Sequence, residues 1–248
     1  MDVSICIAAH DKPYHLICTL ESIYKQSPKS TFEVIVADDR SENNDIHKVC
    51  SRYPVRHIRI DGPPGFRNAS KARNVAYLAA RGRIIIAQSD ETMHVSNNCI
   101  DELVNALKPE TFVIAKVFNT DLSGRLVPSG HDNVSAGDET VFTGPAYPKP
   151  YFFLGSLYRE DLYDVGGNDE EFVTPGSEDR WFADCLIHGL GLKPIFSDTI
   201  VGYHISHPRI MSAEVAEPSH QLYLKKFAAA SAGEIPWRSS GKPWFFTQ

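Results

Sequence analysis

The chain has 248 residues and a net charge of −6, with 42% hydrophobic and 23% charged residues, which is the composition of an ordinary globular α/β protein. The acidic balance gives no electrostatic reason to expect binding to nucleic acid. No apolar run approaches the roughly 18 residues that cross a bilayer, so we expect a cytoplasmic protein without a transmembrane segment.

The first sixty residues alternate buried strand patterns with an amphipathic and a short helical pattern. The second strand pattern runs directly into two adjacent carboxylates, Asp38 and Asp39. The third alternates apolar and basic residues, as a strand near the edge of a sheet would. The predicted order is strand, helix, strand, helix, strand over residues 3–9, 16–24, 32–37, 47–53 and 55–60.

A helix predicted over residues 70–80 carries two cations, Lys71 and Arg73, in its first turn. Cations there oppose the helix dipole, which favours anions at an N-terminus. Their placement suggests a negatively charged ligand nearby. Solvated surface charges are the alternative.

The stretch RIIIAQSDETM, residues 83–93, is typical of a strand buried on both faces that stops at polar residues. Asp90 and Glu91 therefore stand at the carboxyl end of a strand, as Asp38 and Asp39 do. In open α/β sheets, the loops at these ends form the crevice where ligands bind. The alternative is that Asp90 and Glu91 only begin a solvated turn.

The second half of the chain is less regular. Residues 119–150 are rich in Gly, Pro, Ser and Asp, which indicates a long loop of the kind that often covers a site. The aromatic residues of the tail are expected to pack back on the domain, with contact to a sugar or a membrane surface as the alternative. Those aromatic residues are Trp237, Trp244, Phe245 and Phe246. The remaining predicted elements are a helix at 97–107, strands at 112–118, 194–196 and 200–203, an ordered segment at 151–158, and a helical stretch around 222–227.

A third acidic pair, Glu178 and Asp179, follows Ser177, which is a plausible helix N-cap. Negative charge is favoured in a first helical turn, so the alternative is that the pair only caps a helix. Two imidazoles, His204 and His207, follow the last predicted strand. Carboxylates and an imidazole suit Mg²⁺ or Mn²⁺, and such an ion on a diphosphate would stabilise a departing phosphate anion. A carboxylate distant from the ion could deprotonate an attacking hydroxyl.

Four segments together resemble the family-two glycosyltransferases with the GT-A fold. They are VSICIAAHDKPYHLICTLESIYKQ, FEVIVADDRSENN, SKARNVAYLAARGRIIIAQSDE and LYDVGGNDEEFVTPGSEDRWFADCLIHGLG. The resemblance covers residues 3 to about 93 and about 152 to 204, and the order and spacing of the segments make it specific.

The resemblance implies one α/β domain of the GT-A type, with a central, mostly parallel sheet flanked by helices, an irregular insertion and a C-terminal tail. Residues 1–118 would be the nucleotide-sugar-binding half and residues 119–204 the acceptor-side half, which contains the insertion at 119–150. Residues 205–248 would form a C-terminal extension.

On the donor side, the resemblance implies that Ala8, Asp38 and Asp39 hold the nucleotide base, with Asp39 preferred for a uracil ring edge. Arg73 would face the donor diphosphate. Ser89 and Asp90 would complete the donor site.

The segment 88–90 stands where the family has its DxD motif, so Asp90 would bind the metal. Gln88 replaces the usual first acid, and Glu91 receives no role. His204 is the preferred second metal ligand, ahead of His207. On the acceptor side, Asp179 looks like the general base and Glu178 would support it or touch the acceptor.

These implied roles describe an inverting transfer of a sugar, assisted by Mn²⁺ or Mg²⁺. The donor would be a nucleotide-sugar, with UDP preferred. The acceptor would be a hydroxyl of a glycan, a lipid-linked molecule or a protein, as in polysaccharide biosynthesis. Peripheral contact with a membrane is compatible with this reading.

Two functions are alternatives to sugar transfer. A catalytically inactive GT-A module that only binds a nucleotide or a glycan is motivated by Gln88. An NAD-binding protein is disfavoured because no GxGxxG motif follows the first strand, where His10-Asp11-Lys12-Pro13 stands instead.

Overall fold

The computed structural model describes residues 1–62, 68–129, 140–207 and 212–240. The tail residues Trp244, Phe245 and Phe246, and the middle of the predicted insertion, lie outside this part of the chain. Within the described ranges, none of the helices has both the length and the apolar character needed to cross a membrane.

Nine strands and seven helices alternate along the described chain. The strands are β1 (Val3–Ala9), β2 (Phe32–Asp38), β3 (Val55–Arg59), β4 (Ile84–Ser89), β5 (Thr92–His94), β6 (Thr111–Thr120), β7 (Val141–Thr143), β8 (Leu154–Tyr158) and β9 (Lys193–Ile205). The helices are α1 (Pro13–Tyr24), α2 (Asp45–Cys50), α3 (Ser70–Ala79), α4 (Cys99–Ala106), α5 (Arg159–Asp164), α6 (Glu178–Asp184) and α7 (Ala213–Ser231).

All nine strands form one sheet in the order β3-β2-β1-β4-β8-β6-β9-β5, with β7 paired to β6. Strands β1 to β4 are mutually parallel, and β6 and β9 run in the same direction as they do. The opposite direction is taken by β5, β7 and β8. The prediction of an α/β fold with a mostly parallel central sheet is therefore confirmed.

The apolar runs of the central strands are continuous because both faces of the sheet are covered. Ile84 and Ile86 pack in the cluster that contains the buried faces of α1, α2 and α4. Ile85 and Ala87 point to the opposite cluster, which contains α3, α6 and residues of α7. Successive side chains of a strand point to opposite faces, so each face of β4 requires its own apolar residues.

Two local features differ from the sequence-based expectation. The strands predicted at 194–196 and 200–203 are parts of one strand, β9, whose register against β6 shifts between Ile114 and Lys116. Such a bulge interrupts the apolar pattern without ending the strand. Ser177 precedes α6 but has φ of 66°, and its side chain makes no capping hydrogen bond. The prediction that its side chain caps the helix is wrong because its backbone is left-handed instead of extended.

The tail packs on α6 and on the segment that precedes it. The ring centroids of Trp237 and Trp181 lie 5.6 Å apart. For Trp237, this confirms the prediction that the tail packs back on the domain. From α7, Lys226 reaches two carboxylates, with Nζ 3.0 Å from Asp169 Oδ2 and 2.5 Å from Glu171 Oε2. The tail is thus joined to the domain by both apolar packing and ion pairs.

The turn between α3 and β4 offers a direct test of packing at the start of β4. A Cβ on Gly82 would lie 2.5 Å from both Ser4 N and Val3 C, and these are backbone atoms that cannot rotate away. We expect Gly82→Ala to lower the free energy of unfolding by about 1–3 kcal/mol, measured by urea denaturation. The loss should persist in a Ser4→Ala background, and an unchanged urea midpoint there would show that the turn can move away from β1.

Candidate functional site

A cleft of about 920 Å³ opens at the carboxyl ends of β1, β2 and β4. Its lining includes Asp39, Ser89, Asp90 and Glu91, and also Arg73, Glu178 and Asp179. Parallel strands bring their carboxyl ends to one edge of a sheet, which is why acids far apart in sequence meet here. The polar ends predicted as separate clusters therefore surround one space, although Asp38 does not line it.

Asp90 and Glu91 are held by a cation that follows β1. Lys12 Nζ lies 3.1 Å from Asp90 Oδ1 and 2.5 Å from Glu91 Oε2. The second oxygen of Asp90 accepts a hydrogen bond from the backbone N–H of His10, with an N to Oδ2 distance of 3.2 Å. The two carboxylates are only 3% and 6% exposed. They do not begin a solvated turn, so that alternative is wrong.

Burial raises the pKa of Asp90 well above its ordinary value, because the charged form loses its hydration. Burial acts in the same direction on Glu91, but the Lys12 ammonium and the hydrogen bonds from Asp90 and His204 together outweigh it and hold the pKa of Glu91 well below its usual range. For Lys12, burial alone would lower the pKa, and the two adjacent carboxylates raise it instead. The Lys12 side chain therefore remains an ammonium at neutral pH.

Two imidazoles face the other oxygen of Glu91. The Nε2 atoms of His204 and His207 lie 3.5 and 3.9 Å from Glu91 Oε1. One ligand atom from each of the three residues falls within 4.8 Å of the others. A carboxylate with two imidazoles is a donor set that fits Mn²⁺ better than Mg²⁺, which prefers oxygen ligands.

The orientation of the His204 ring is fixed from behind. Its Nδ1 lies 3.0 Å from Asn119 Oδ1, and the Asn119 amide nitrogen donates to the carbonyl of Pro128 at 2.9 Å. Since an amide oxygen only accepts, Nδ1 of His204 carries the proton and donates it. Nε2 is then the ring nitrogen that faces Glu91, and an outer partner on Nδ1 is what metal-ligating histidines usually have.

Asp90 and His204, the predicted metal pair, both line the cleft, and their role as metal ligands stays a prediction. Both carboxylate oxygens of Asp90 are already engaged by Lys12 and by the His10 N–H. Glu91, which sequence reasoning set aside, is the carboxylate that faces His204. Asp90 lies beside the group as its neighbour.

Gln88 does not reach the cleft. Its side chain is 2% exposed, Nε2 donates to the carbonyl of Thr92 at 2.6 Å, and Oε1 accepts from His94 Nε2 at 2.8 Å. The other ring nitrogen of His94 accepts from Gln26 at 2.7 Å. Burial lowers the pKa of His94 to about 3, so this ring is neutral. The side chain at position 88 thus joins β4 to β5 and stands apart from the donor atoms of the cleft.

Asp38 and Asp39 end β2 but point differently. Asp38 is fully buried and accepts from Ser41 N at 3.0 Å and from Arg59 Nη1 at 3.2 Å, away from the cleft. Burial would raise its pKa, yet hydrogen bonds from His57 and Ser41 lower it. Asp39 lines the cleft beside Ala8. Burial raises the pKa of Asp39 despite its ion pair with Arg40, whose Nε lies 3.0 Å from Oδ1.

Elsewhere in the cleft lining, Nη1 of Arg73 forms an ion pair with Oδ1 of Asp179. This contact joins α3 to α6 and gives the guanidinium, expected to face a diphosphate, a protein partner. Glu178 lies beside them, and its Oε2 is a buried atom without a hydrogen-bond partner among the described residues. Burial and then the Asp179 charge raise the pKa of Glu178 to about 7.

Lys12 and Glu91 are the site residues that sequence reasoning missed. A signal existed for Lys12, because it stands in the polar turn that follows the first predicted strand. A polar turn at that strand end must border the same crevice as Asp39 and Asp90. For Glu91, nothing in the sequence distinguishes it from Asp90.

The raised pKa of Glu178 gives stability a specific pH dependence. The unfolded carboxyl ionises near its ordinary value of 4.5, whereas the folded one keeps its proton to about pH 7. The folded state binds more protons in this window, so the contribution of Glu178 to stability is present below the lower value and is lost as pH rises through the upper one.

We therefore expect the wild-type protein to lose about 1–3 kcal/mol of unfolding free energy relative to Glu178→Gln between about pH 5 and pH 8. Urea denaturation across this range measures the difference. Glu234→Gln, at an exposed carboxyl, should follow the wild-type curve. Parallel curves for wild type and Glu178→Gln would contradict the assigned protonation.

The chain is similar to one protein family in sequence and to several solved structures in fold. Residues 4–162 match the family model described as Glycosyl transferase family 2. No curated protein matches the chain significantly. Among solved structures, the mannosyltransferase PcManGT from Pyrobaculum calidifontis in complex with GDP-Man and Mn²⁺ is similar at a TM-score of 0.61 and 17% identity, over 84% of this chain and 58% of that one.

TarS 1-349 from S. aureus is similar at a TM-score of 0.59 and 19% identity, over 83% of this chain and 60% of that one. Its complex with UDP gives a TM-score of 0.59 and 18% identity, over 94% of this chain and 72% of that one. The chain thus spans about three fifths of the mannosyltransferase and of ligand-free TarS 1-349. These neighbours support the GT-A fold, and the family model, which matches more than half of the residues, shows that the chain belongs to glycosyl transferase family 2.

Proposed function

We propose that this glycosyltransferase moves a sugar from a UDP-sugar to an acceptor hydroxyl by a direct displacement that inverts the anomeric carbon. One observation carries the proposal. A single cleft is lined both by the Arg73–Asp179 ion pair and by the Asp90–Glu91 pair with its imidazoles. An in-line attack requires a base and a leaving-group site that border the same space.

Asp179 is the proposed general base. Arg73 holds Oδ1, which fixes the carboxylate and leaves Oδ2 to take the proton of the acceptor hydroxyl. The oxygen then attacks the anomeric carbon as the bond to the diphosphate oxygen breaks, and the electron pair leaves with the nucleoside diphosphate. Glu178 stands at the base as a carboxyl that burial keeps partly protonated near neutral pH.

The donor base is assigned to Ala8 and Asp39, which line the end of the cleft at β1 and β2. Asp39 is positioned by its N–H, which donates to the carbonyl of Ala9 at 2.8 Å. A carboxylate here can accept the N3–H of a uracil ring. Two structural neighbours are complexes with UDP and with UDP-GlcNAc, and another is a complex with GDP-Man. Asp38 supports the loop through Ser41 and Arg59, and Ser89 borders the diphosphate region.

Glu91, His204 and His207 are proposed to hold a divalent cation, with Mn²⁺ preferred to Mg²⁺. When bound, such an ion neutralises charge on the departing diphosphate. The described residues contribute the remaining positive charge through Lys12 and Arg73.

The acceptor enters a part of the cleft that has aromatic rings. Tyr14, Tyr151 and Phe153 line it, and such rings offer flat apolar faces with polar edges. A glycan or another sugar-bearing acceptor suits this lining. Lipid-linked and protein hydroxyls, a role in polysaccharide biosynthesis and a cytoplasmic location stay predictions.

The alternative of a catalytically inactive module loses its original motivation. It was based on Gln88 in place of the first acid of the motif, and Gln88 is buried in contacts with Thr92 and His94 instead of facing the cleft. Nucleotide binding without turnover of any nucleotide-sugar by the wild-type protein would nevertheless support it.

Asp179→Asn should lower transfer, followed as UDP release, by about 10²–10⁴-fold, because it removes the general base. UDP affinity, measured by calorimetry, should change little, since Asn can still accept from Arg73. Asp184→Asn is the matched control, because Asp184 lies on the same helix and binds the Tyr223 hydroxyl instead of facing the cleft. Normal turnover by Asp179→Asn would rule out the assigned base.

The choice between the two adjacent acids as metal ligand is tested by comparing Glu91→Gln with Asp90→Asn. We expect Glu91→Gln and His204→Ala each to weaken Mn²⁺ binding at least about tenfold, since each removes a ligand atom. Asp90→Asn should weaken it less. Calorimetric or electron-paramagnetic-resonance titration with Mn²⁺ measures this, and a loss confined to Asp90→Asn would restore Asp90 as the ligand.

A further inference from the structure

Lys12 binds Glu91, which is also one of the three proposed metal ligands. Its Nζ lies 2.5 Å from Glu91 Oε2, while the imidazoles of His204 and His207 face Glu91 Oε1. Glu91 is therefore shared between a permanent cation of the protein and the position of an exchangeable one. The ammonium also binds Asp90, so it is the counter-ion of both acids.

The charges show what this sharing does. Asp90 and Glu91 are two acids in a buried site, and Lys12 supplies one positive charge within hydrogen-bond distance of both. A divalent ion bound through Glu91 Oε1 would lie on the opposite side of one carboxylate from an ammonium. At such separations, in a site with little water, like charges repel strongly and salt screens them weakly.

We propose that Lys12 is a positioning residue that competes with the divalent cation for Glu91 and so keeps the metal affinity of the donor-free enzyme low. This inference rests on the metal site of the proposed function. Tight metal binding then requires the ammonium to leave Glu91. The Lys12 side chain is 26% exposed and borders the cleft, so it has room to turn toward an anion there. A donor diphosphate is such an anion, and its arrival would release Glu91 to the metal.

The comparison of Lys12→Met with Lys226→Met tests the competition. Lys226 is the matched control, because it also binds two carboxylates, Asp169 and Glu171, but lies outside the cleft. Both variants lose an ammonium from an acidic pair. Only Lys12→Met should bind Mn²⁺ at least about tenfold more tightly than the wild type, in a calorimetric titration without donor.

Thermal unfolding gives a second readout that does not depend on activity. Lys12→Met leaves two buried carboxylates without their cation, so its midpoint should fall in EDTA and recover in saturating Mn²⁺. The midpoint of Lys226→Met should fall equally in both conditions. A Lys12→Met protein that folds only when Mn²⁺ is present gives the same support.

The proposal is overturned if Lys12→Met binds Mn²⁺ no more tightly than the wild type and Mn²⁺ does not rescue its stability. Lys12→Gln, which is neutral but keeps a hydrogen-bond donor, provides the same measurement if the methionine variant is insoluble with and without Mn²⁺. UDP binding and UDP-sugar turnover by the wild type are measured in parallel. Their absence would contradict the proposed function, whereas normal turnover with unchanged metal affinity in both Lys12 variants contradicts only the role of Lys12.

Discussion

The arrangement of the cleft depends on two carboxyl groups at the end of a strand that is buried on both faces. Asp90 and Glu91 leave β4 at the centre of the sheet, where little water reaches them, and buried charge without a partner is strongly unfavourable. Lys12 after β1 and His204 near the end of β9 contact these acids. These contacts hold the ends of β1, β4 and β9 together and leave both an ammonium and carboxyl groups at the cleft.

The fold could be predicted from the sequence because its signals are local. The apolar run of β4 and the helical spacing of Leu16, Leu20 and Ile23 each report burial directly. The same reliance on local signals explains why two strands were predicted where β9 is continuous. The register shift falls between Phe196 and Val201 of β9, where Ser197, Asp198 and Thr199 interrupt the apolar pattern, and the local sequence does not distinguish such a bulge from the end of a strand.

The site was predictable in outline and not in its pairings. A strand end shows that an acid borders the crevice, but not which way its side chain turns. Asp38 turns to Arg59 whereas Asp39 enters the cleft, and Glu91 rather than Asp90 faces the imidazoles. These choices depend on contacts between residues far apart in the chain, such as Lys12 with Glu91 and Arg73 with Asp179. The resemblance assigns roles to positions along the chain. It does not show which distant residue each of these side chains contacts.

The buried amide of Gln88 has a consequence for substitution at this position. Its Oε1 accepts a hydrogen bond from His94, a ring that is neutral and is itself held by Gln26. An aspartate in its place would bury a negative charge among groups arranged for a neutral amide. Substitutions at positions 26, 88 and 94 are therefore energetically linked, and an acid at position 88 would require compensating changes at the other two.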